Sequence, residues 1–335
     1  MKELEAIVYE AERARVSGKA AALAIVVSID GSAYRLPGAR MLIVDGKWVA
    51  GSISGGCLED DVVLRAGEAI ARNEALVTTY DTTSDDDIVF GVGLGCKGVI
   101  TILIEPIRAP DRAVDFVGFA RSCLQDRTVG IAATVIRTEA PEAAKPGSRM
   151  LLRDRLVVSD IADADLADRI RSEAQLQSGE SSRVITIALE HGSADVFVER
   201  VEPPTPLVVF GAGHDAMPVV QLAKELGWHV TVIDHRPAYG NAARFPLADR
   251  VVVCTPKDVA SQVTLEDDTL ALLMTHREII PAPVVEVTDT GEAHAVTVDD
   301  RPRHHGDLRP PVAIVRRGNS DPPRDDGEKQ HGHAD

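Results

Sequence analysis

Apolar positions along the sequence switch between two periods. Leu4, Ile7, Val8 and Ala11 fall at helical spacing, and the run Ala22-Leu-Ala-Ile-Val-Val-Ser-Ile29 reads as a strand. Met41–Val44 and Lys47–Ala50 are two further short strands. Asp45-Gly46 between them is the two-residue hairpin signal, because both turn positions need positive φ. Leu58–Asn73 returns to helical spacing, with Leu58, Val62, Ala66, Ala69 and Ile70 on one face. Glu59, Asp60 and Asp61 crowd its first turn, where the helix dipole favours acids. Leu76–Tyr80 and Val99–Ile104 are strands, the second stopped by Glu105-Pro106.

The order then repeats. Pro37-Gly-Ala-Arg-Met-Leu42 recurs as Pro146-Gly-Ser-Arg-Met-Leu151. A strand precedes each copy (Ala22–Ile29 and Val129–Ile136), and a second strand, a helix (Asp163–Leu176 in the second copy) and a strand pair follow. The copies end as Ile104-Glu-Pro106 and Val201-Glu-Pro203, which predicts half-repeats over 20–106 and 128–203. A period of roughly 100 residues is that of a duplicated half-domain and not of a solenoid. Features shared by both halves read as scaffold, and features of one half as site candidates. Ser52-Ile-Ser-Gly-Gly-Cys57 faces Ser159-Asp-Ile-Ala-Asp-Ala164, which has neither glycine nor cysteine. Gly91-Val-Gly-Leu-Gly-Cys-Lys-Gly98 has no counterpart before Val184. The chemistry is therefore expected in the first half.

A proline-rich joint, Glu202-Pro-Pro-Thr-Pro206, opens a new pattern. The strand Leu207–Phe210 leads into Gly211-Ala-Gly-His-Asp-Ala216, a helix to Leu226, and the strand His229–Ile233 ending at Asp234. Val251–Val253 and Leu270–Met274 are further strands. Beyond Asp299 few apolar residues are left to order a chain rich in Pro, Arg, His, Gly and Asp. The fold class is α/β: an internally duplicated α+β domain over 1–204, a Rossmann-like doubly wound domain over 205–298, and a disordered tail over 299–335.

In the second domain, Gly211 makes the turn, Gly213 lets backbone approach a pyrophosphate, and Ala216 lets helix and strand pack closely. Asp234 would accept from ribose hydroxyls, while Arg236 leaves room for a 2′-phosphate. A doubly wound order places Thr275-His276 beside the Gly211–His214 loop, so His214 and His276 read as a ligand or base pair, or else as a solvated loop residue and a strand-end hydrogen-bonder. In the first domain, Cys57 opens a helix whose dipole favours a thiolate and whose acidic first turn opposes it. Gly55-Gly56 would offer backbone N–H groups to an anion. Cys96 lies in a glycine-rich approach beside Lys97. Both cysteines read equally as small hydrophobes in glycine turns, and Cys123 and Cys254 as core. Asp81–Asp87 reads as a solvated acidic turn, and His304, His305, His331 and His333 as a solvated tail.

Charge and composition narrow the function. Lys and Arg total 36 against 52 Asp and Glu, a net of −16, which excludes phosphate backbones and anionic lipid as partners where no basic patch exists. No segment has the roughly 18 uninterrupted apolar residues of a membrane span, and Glu3, Glu5, Glu10 and Glu12 are unlike a signal peptide. Four cysteines in 335 residues are no disulfide framework, so a soluble cytoplasmic protein is expected.

The stretches Gly31–Leu42, Gly51–Glu59, Phe90–Gly98, Gly211–His214 and Met274–His276 resemble the xanthine dehydrogenase accessory factors, the XdhC/CoxI family, across residues 10–276. The resemblance implies a chaperone that binds molybdenum cofactor (molybdopterin), supports exchange of an oxo for a sulfido ligand, and delivers the cofactor to a xanthine dehydrogenase or CO dehydrogenase type of hydroxylase. It also implies a homodimer and a cysteine desulfurase as sulfur donor. Arg35, Gly55, Gly56, Cys57 and Cys96 are then the candidate cofactor contacts, with Cys57 and Cys96 nearest the metal. Gly211, Gly213, His214 and Asp234 form a second, nucleotide- or phosphate-binding face. The alternative is an NAD(P)-dependent oxidoreductase acting on a substrate held by residues 1–204. Two departures stand out: Lys97 replaces a family glycine, and the residues after His276 carry no likeness, as a shifted reading frame would leave them. An incomplete Rossmann sheet is the expected result.

Overall fold

The computed structural model describes residues 2–82, 97–107, 114–176, 182–265, 268–274 and 314–315. The chain separates into two units, Met1–Pro204 and Thr205–Asp335. In the first unit, helix α1 (Lys2–Val16) precedes β1 (Ala21–Gly31), β2 (Arg40–Val44), β3 (Lys47–Gly51), α2 (Glu59–Arg72), β4 (Leu76–Asp81) and β5 (Gly98–Pro106). Helix α3 (Phe116–Asp126) then precedes β6 (Gly130–Thr138), β7 (Arg149–Arg153), β8 (Leu156–Ser159), α4 (Ala164–Leu176), β9 (Arg183–Leu189) and β10 (Gly192–Val201). The sheet orders are β3-β2-β1-β5-β4 and β8-β7-β6-β10-β9, the same topology twice.

Period-two alternation with both faces covered explains why β1 is apolar and buried from Ala21 to Val27. Leu23, Ile25 and Val27 enter a core shared with α1, α3 and the second sheet, while Ala22, Ala24 and Val26 face α2. Ala133 and Val135 do the same toward α4 in the other half. The repeated Pro-Gly turns are built alike. Gly38 donates to the Val26 carbonyl and Gly147 to that of Val135, each at 2.8 Å, with φ of 93° and 90° that favour glycine. Asp45 (φ 50°) and Gly46 (φ 71°) make the expected β2–β3 turn.

The strand register corrects one correspondence. Leu23 pairs with Glu105, and its counterpart Ala132 pairs with Glu199. Glu105 therefore matches Glu199, not Glu202 of the similar Glu-Pro ending. These two acids cross over. Arg40 of the first half pairs with Glu199 of the second, and Arg149 of the second with Glu105 of the first, the latter at 2.6 Å. Both guanidiniums lie over the Phe116 ring, at 5.2 and 5.4 Å from its centroid.

The second unit contains β11 (Pro206–Phe210), α5 (Ala216–Glu225), β12 (His229–Asp234), β13 (Arg250–Val253), the short α6 (Val259–Gln262), β14 (Leu270–Leu273) and β15 (Ile314–Val315). The order β13-β12-β11-β14-β15, parallel except for β15, is doubly wound with its switch point between β11 and β14. β15 lies within the stretch expected to be a disordered tail. Ile314 and Val315 form backbone pairs with Leu272 and Ala271, which an edge strand permits without a core of its own. Among the described residues no helix is long and apolar enough to cross a membrane.

Candidate functional site

Because β2 and β5 run antiparallel to their neighbours, β1, β3 and β4 all deliver their C-terminal ends to the same end of the first sheet. Three connections emerge there: 32–39, which carries Arg35; 52–58, which carries Gly55, Gly56 and Cys57; and 82–97, which carries Cys96. The second half has only 160–163 and 190–191 where the first has 52–58 and 82–97. Both extensions of the first half thus open at one sheet end. Cys96 itself lies outside the described residues, as does His276.

Close backbone contacts tie these connections together. The Ser32 amide donates to the Lys97 carbonyl at 2.9 Å. A Cβ on Gly31 would sit 2.6 Å from that carbonyl, and one on Gly98 2.7 Å from the Asp30 oxygen, so only glycine admits this approach. The Tyr34 ring covers Gly55, and Arg35 donates to Ser52 Oγ at 3.2 Å. Cys57 is half-buried against the α2 core, and Lys97 is exposed.

The Gly-Gly-Cys turn is held from within. Ser54 Oγ accepts from the backbone N–H of Gly56 (3.1 Å), Cys57 (3.1 Å) and Leu58 (3.2 Å), and donates to the Glu59 carboxylate. Glu59 also accepts from the Ser54 amide at 3.0 Å and is 2% exposed. The arrangement is a widened capping box. It corrects two expectations. Of the two glycine N–H groups expected to face an anion, that of Gly56 is engaged by Ser54, as is that of Cys57, and Glu59 is a buried partner of Ser54 as well as a first-turn acid. Arg35 is likewise engaged: its guanidinium holds Glu3 of α1 at 2.7 and 2.8 Å. Ser54, Glu59 and Tyr34 are the residues that sequence reasoning missed. A serine ahead of a helix with a glutamate in its first turn was the available signal. Ser54→Ala should lower stability by about 1–2 kcal/mol, as loss of a cap does, and speed alkylation of Cys57 by iodoacetamide. A urea titration and a timed alkylation check both.

Beside the turn, Asp61 accepts from Tyr80 Oη at 2.5 Å and Arg65 Nε at 2.6 Å. Burial works to raise the Asp61 pKa, but these two donors hold it below the ordinary carboxylate value. Burial and the adjacent Asp61 push the Tyr80 phenol upward. Elsewhere Cys123 is fully buried, and burial raises its thiol to about 11. Burial, with Asp258 nearby, raises that of Cys254.

In the second unit Gly211 turns the chain at φ 111°, which favours glycine. Its amide donates to the Ile233 carbonyl at 2.8 Å, and that of Ala212 to Asp234 Oδ2 at 2.8 Å. His214 is exposed, and the Asp215 side chain accepts no N–H at the start of α5. Pro218 falls within the first turn, where its missing N–H costs little.

The family model described as XdhC and CoxI family matches residues 14–81, and that of the XdhC Rossmann domain matches residues 207–304. The second match runs past His276 and corrects the expectation that likeness ends there. A Bacillus subtilis (strain 168) protein, named as a probable subunit of xanthine dehydrogenase, is 33% identical over 259 residues, covering 76% of this chain and 72% of that relative. A crystal structure of a xanthine dehydrogenase from Bacillus halodurans superposes with a TM-score of 0.64 at 25% identity, over 81% of this chain and 75% of the other. With both domain models matched in order and a relative similar over most of its length, the chain belongs to the XdhC and CoxI family.

Proposed function

We propose that this protein is an accessory factor of a xanthine-dehydrogenase-type hydroxylase, and that it holds molybdenum cofactor at the end of the first sheet. The observation that carries this reading is the pair of loop extensions confined to the first half, one bearing Cys57 and the other Cys96, both opening at one sheet end. A scaffold duplicated elsewhere has no packing need for them. The donor set suits a metal–pterin guest in its sulfur and its cation. Cys57 supplies a soft donor and Lys97 an exposed charge, while the Gly56 and Cys57 amides are already bonded. Among the described residues no cluster of three His, Cys, Asp or Glu side chains suits a metal ion, so a metal contact here rests on the thiols. When bound, the cofactor would supply the molybdenum centre that undergoes oxo-to-sulfido exchange. The protein's part is to seat the thiols, exclude bulk water beside α2, and present the cofactor to the hydroxylase, with a cysteine desulfurase as sulfur source.

The test is retention. Purified protein mixed with molybdenum cofactor should co-elute with molybdenum and pterin in gel filtration. Cys57→Ala and Cys96→Ala should each lower that retention at least tenfold, with Cys254→Ala as the unaffected control. Equal retention in both site variants overturns the thiol site. Nicotinamide turnover of a small substrate with no pterin retained replaces the carrier reading by an oxidoreductase.

A further inference from the structure

The acidic cap of the Rossmann unit is chemically closed. Asp234 ends β12 where a dinucleotide's adenosine ribose lies in a doubly wound sheet, and a free carboxylate there accepts from the ribose hydroxyls. In this protein both oxygens are engaged. Oδ1 accepts from the Arg236 amide at 2.8 Å and Arg236 Nε at 3.0 Å, and Oδ2 from the Ala212 amide and Arg236 Nη2, each at 2.8 Å. The Asp234 side chain is 2% exposed.

Arg236 is 45% exposed, and with Nε and Nη2 on the carboxylate its Nη1 edge faces away from it. Its guanidinium lies 3.9 Å from the centroid of Tyr239, and that of Arg244 lies 5.0 Å from the same ring. Arg244 donates to the carbonyls of Ala212 (3.0 Å) and Tyr239 (3.2 Å), and its buried Nη2 has no hydrogen-bond partner among the described residues. Two guanidiniums are thus fixed around one aromatic ring beside the glycine turn. A planar fork of this kind matches phosphate oxygens, whereas the engaged carboxylate has nothing left for a ribose diol.

We propose that the second unit binds a 2′-phosphorylated adenosine nucleotide of the NADP(H) class in preference to NAD(H), with Arg236 as the discriminating contact and Arg244 supporting it. The nearby Asp215 carboxylate opposes any phosphate and weakens both ligand types without discriminating between them. The inference rests on the Rossmann geometry alone and is independent of cofactor carriage by the first unit.

Calorimetry on the full chain compares NADPH with NADH, and 2′,5′-ADP with 5′-AMP. The phosphorylated member of each pair should bind at least tenfold more tightly, and added salt should erode that advantage. Arg236→Gln should bring NADPH to the affinity of NADH. Should that variant fail to fold by circular dichroism, Arg244→Gln and the salt series on the unsubstituted protein carry the test. Equal or tighter binding of NADH, no binding of either dinucleotide at millimolar concentration, or a salt-insensitive preference overturns the proposal. Any of these leaves the Cys57 reading standing, because no residue is shared.

Discussion

Replacing Arg149 with methionine should destabilise the first unit by about 3–5 kcal/mol, the range found when one partner of a buried ion pair is removed. Arg149 is 4% exposed and its partner Glu105 holds it through both carboxylate oxygens, at 2.6 and 2.7 Å. Burial works against the Arg149 charge, yet Glu105, with Glu199 close by, raises its pKa above the ordinary value. The methionine variant leaves the mostly buried Glu105 without its ion-pair partner and removes a cation from the Phe116 ring. The double variant Arg149→Met with Glu105→Leu should recover most of the loss, because replacing both charges removes the desolvation cost along with the attraction. Urea unfolding followed by Trp48 fluorescence in a Trp228→Phe background reports on this unit alone. A single variant that costs under about 1 kcal/mol would show the pair to be solvated and the crossover unimportant.

Asp234→Asn should have the largest effect in the second unit. Burial acts to raise the Asp234 pKa, but the Arg236 fork and the amides of Ala212 and Arg236 overcome it and hold it at about 2, against an ordinary 3.8. The folded state therefore binds this proton less readily than the unfolded state. Its contribution, about 2 kcal/mol, is complete above roughly pH 4 and is lost as pH falls through about 2. Asn at this position should cost about that amount at neutral pH and flatten the stability profile between pH 4 and 2. Trp228 fluorescence in a Trp48→Phe background gives the measurement. An unchanged acid limb would mean that the Asp234–Arg236 contact is not formed in solution.

The elements legible in the sequence are those set by local physics. The Asp45-Gly46 turn, the apolar run of β1 and the β11–α5–β12 unit follow from turn chemistry and period, and the repeated Pro-Gly-x-Arg-Met-Leu exposed the duplication. What the sequence concealed depends on contacts between distant positions. Arg40 and Glu199 carry no local sign of their partnership, and the true counterpart of Glu105 is fixed by strand register, which a β-bulge shifts in both sheets. Glu59 reads in the sequence as a dipole-complementing first-turn acid, and only the fold turns it inward to Ser54. Arg35 looked like a spare cation, but α1 brings Glu3 to it. The candidate site was therefore visible in its residues and its confinement to one half, and hidden in which of those residues are already engaged.

The crossed arginines have one more consequence. Each half supplies the counter-ion that the other lacks, so neither can leave without stranding an arginine and a glutamate in an apolar setting. That mutual dependence uses strand residues alone, Arg40, Glu105, Arg149 and Glu199, and none from the connections by which the halves differ. One twin could therefore shorten its connections to bare turns while the other lengthened its own, with the clasp between them intact.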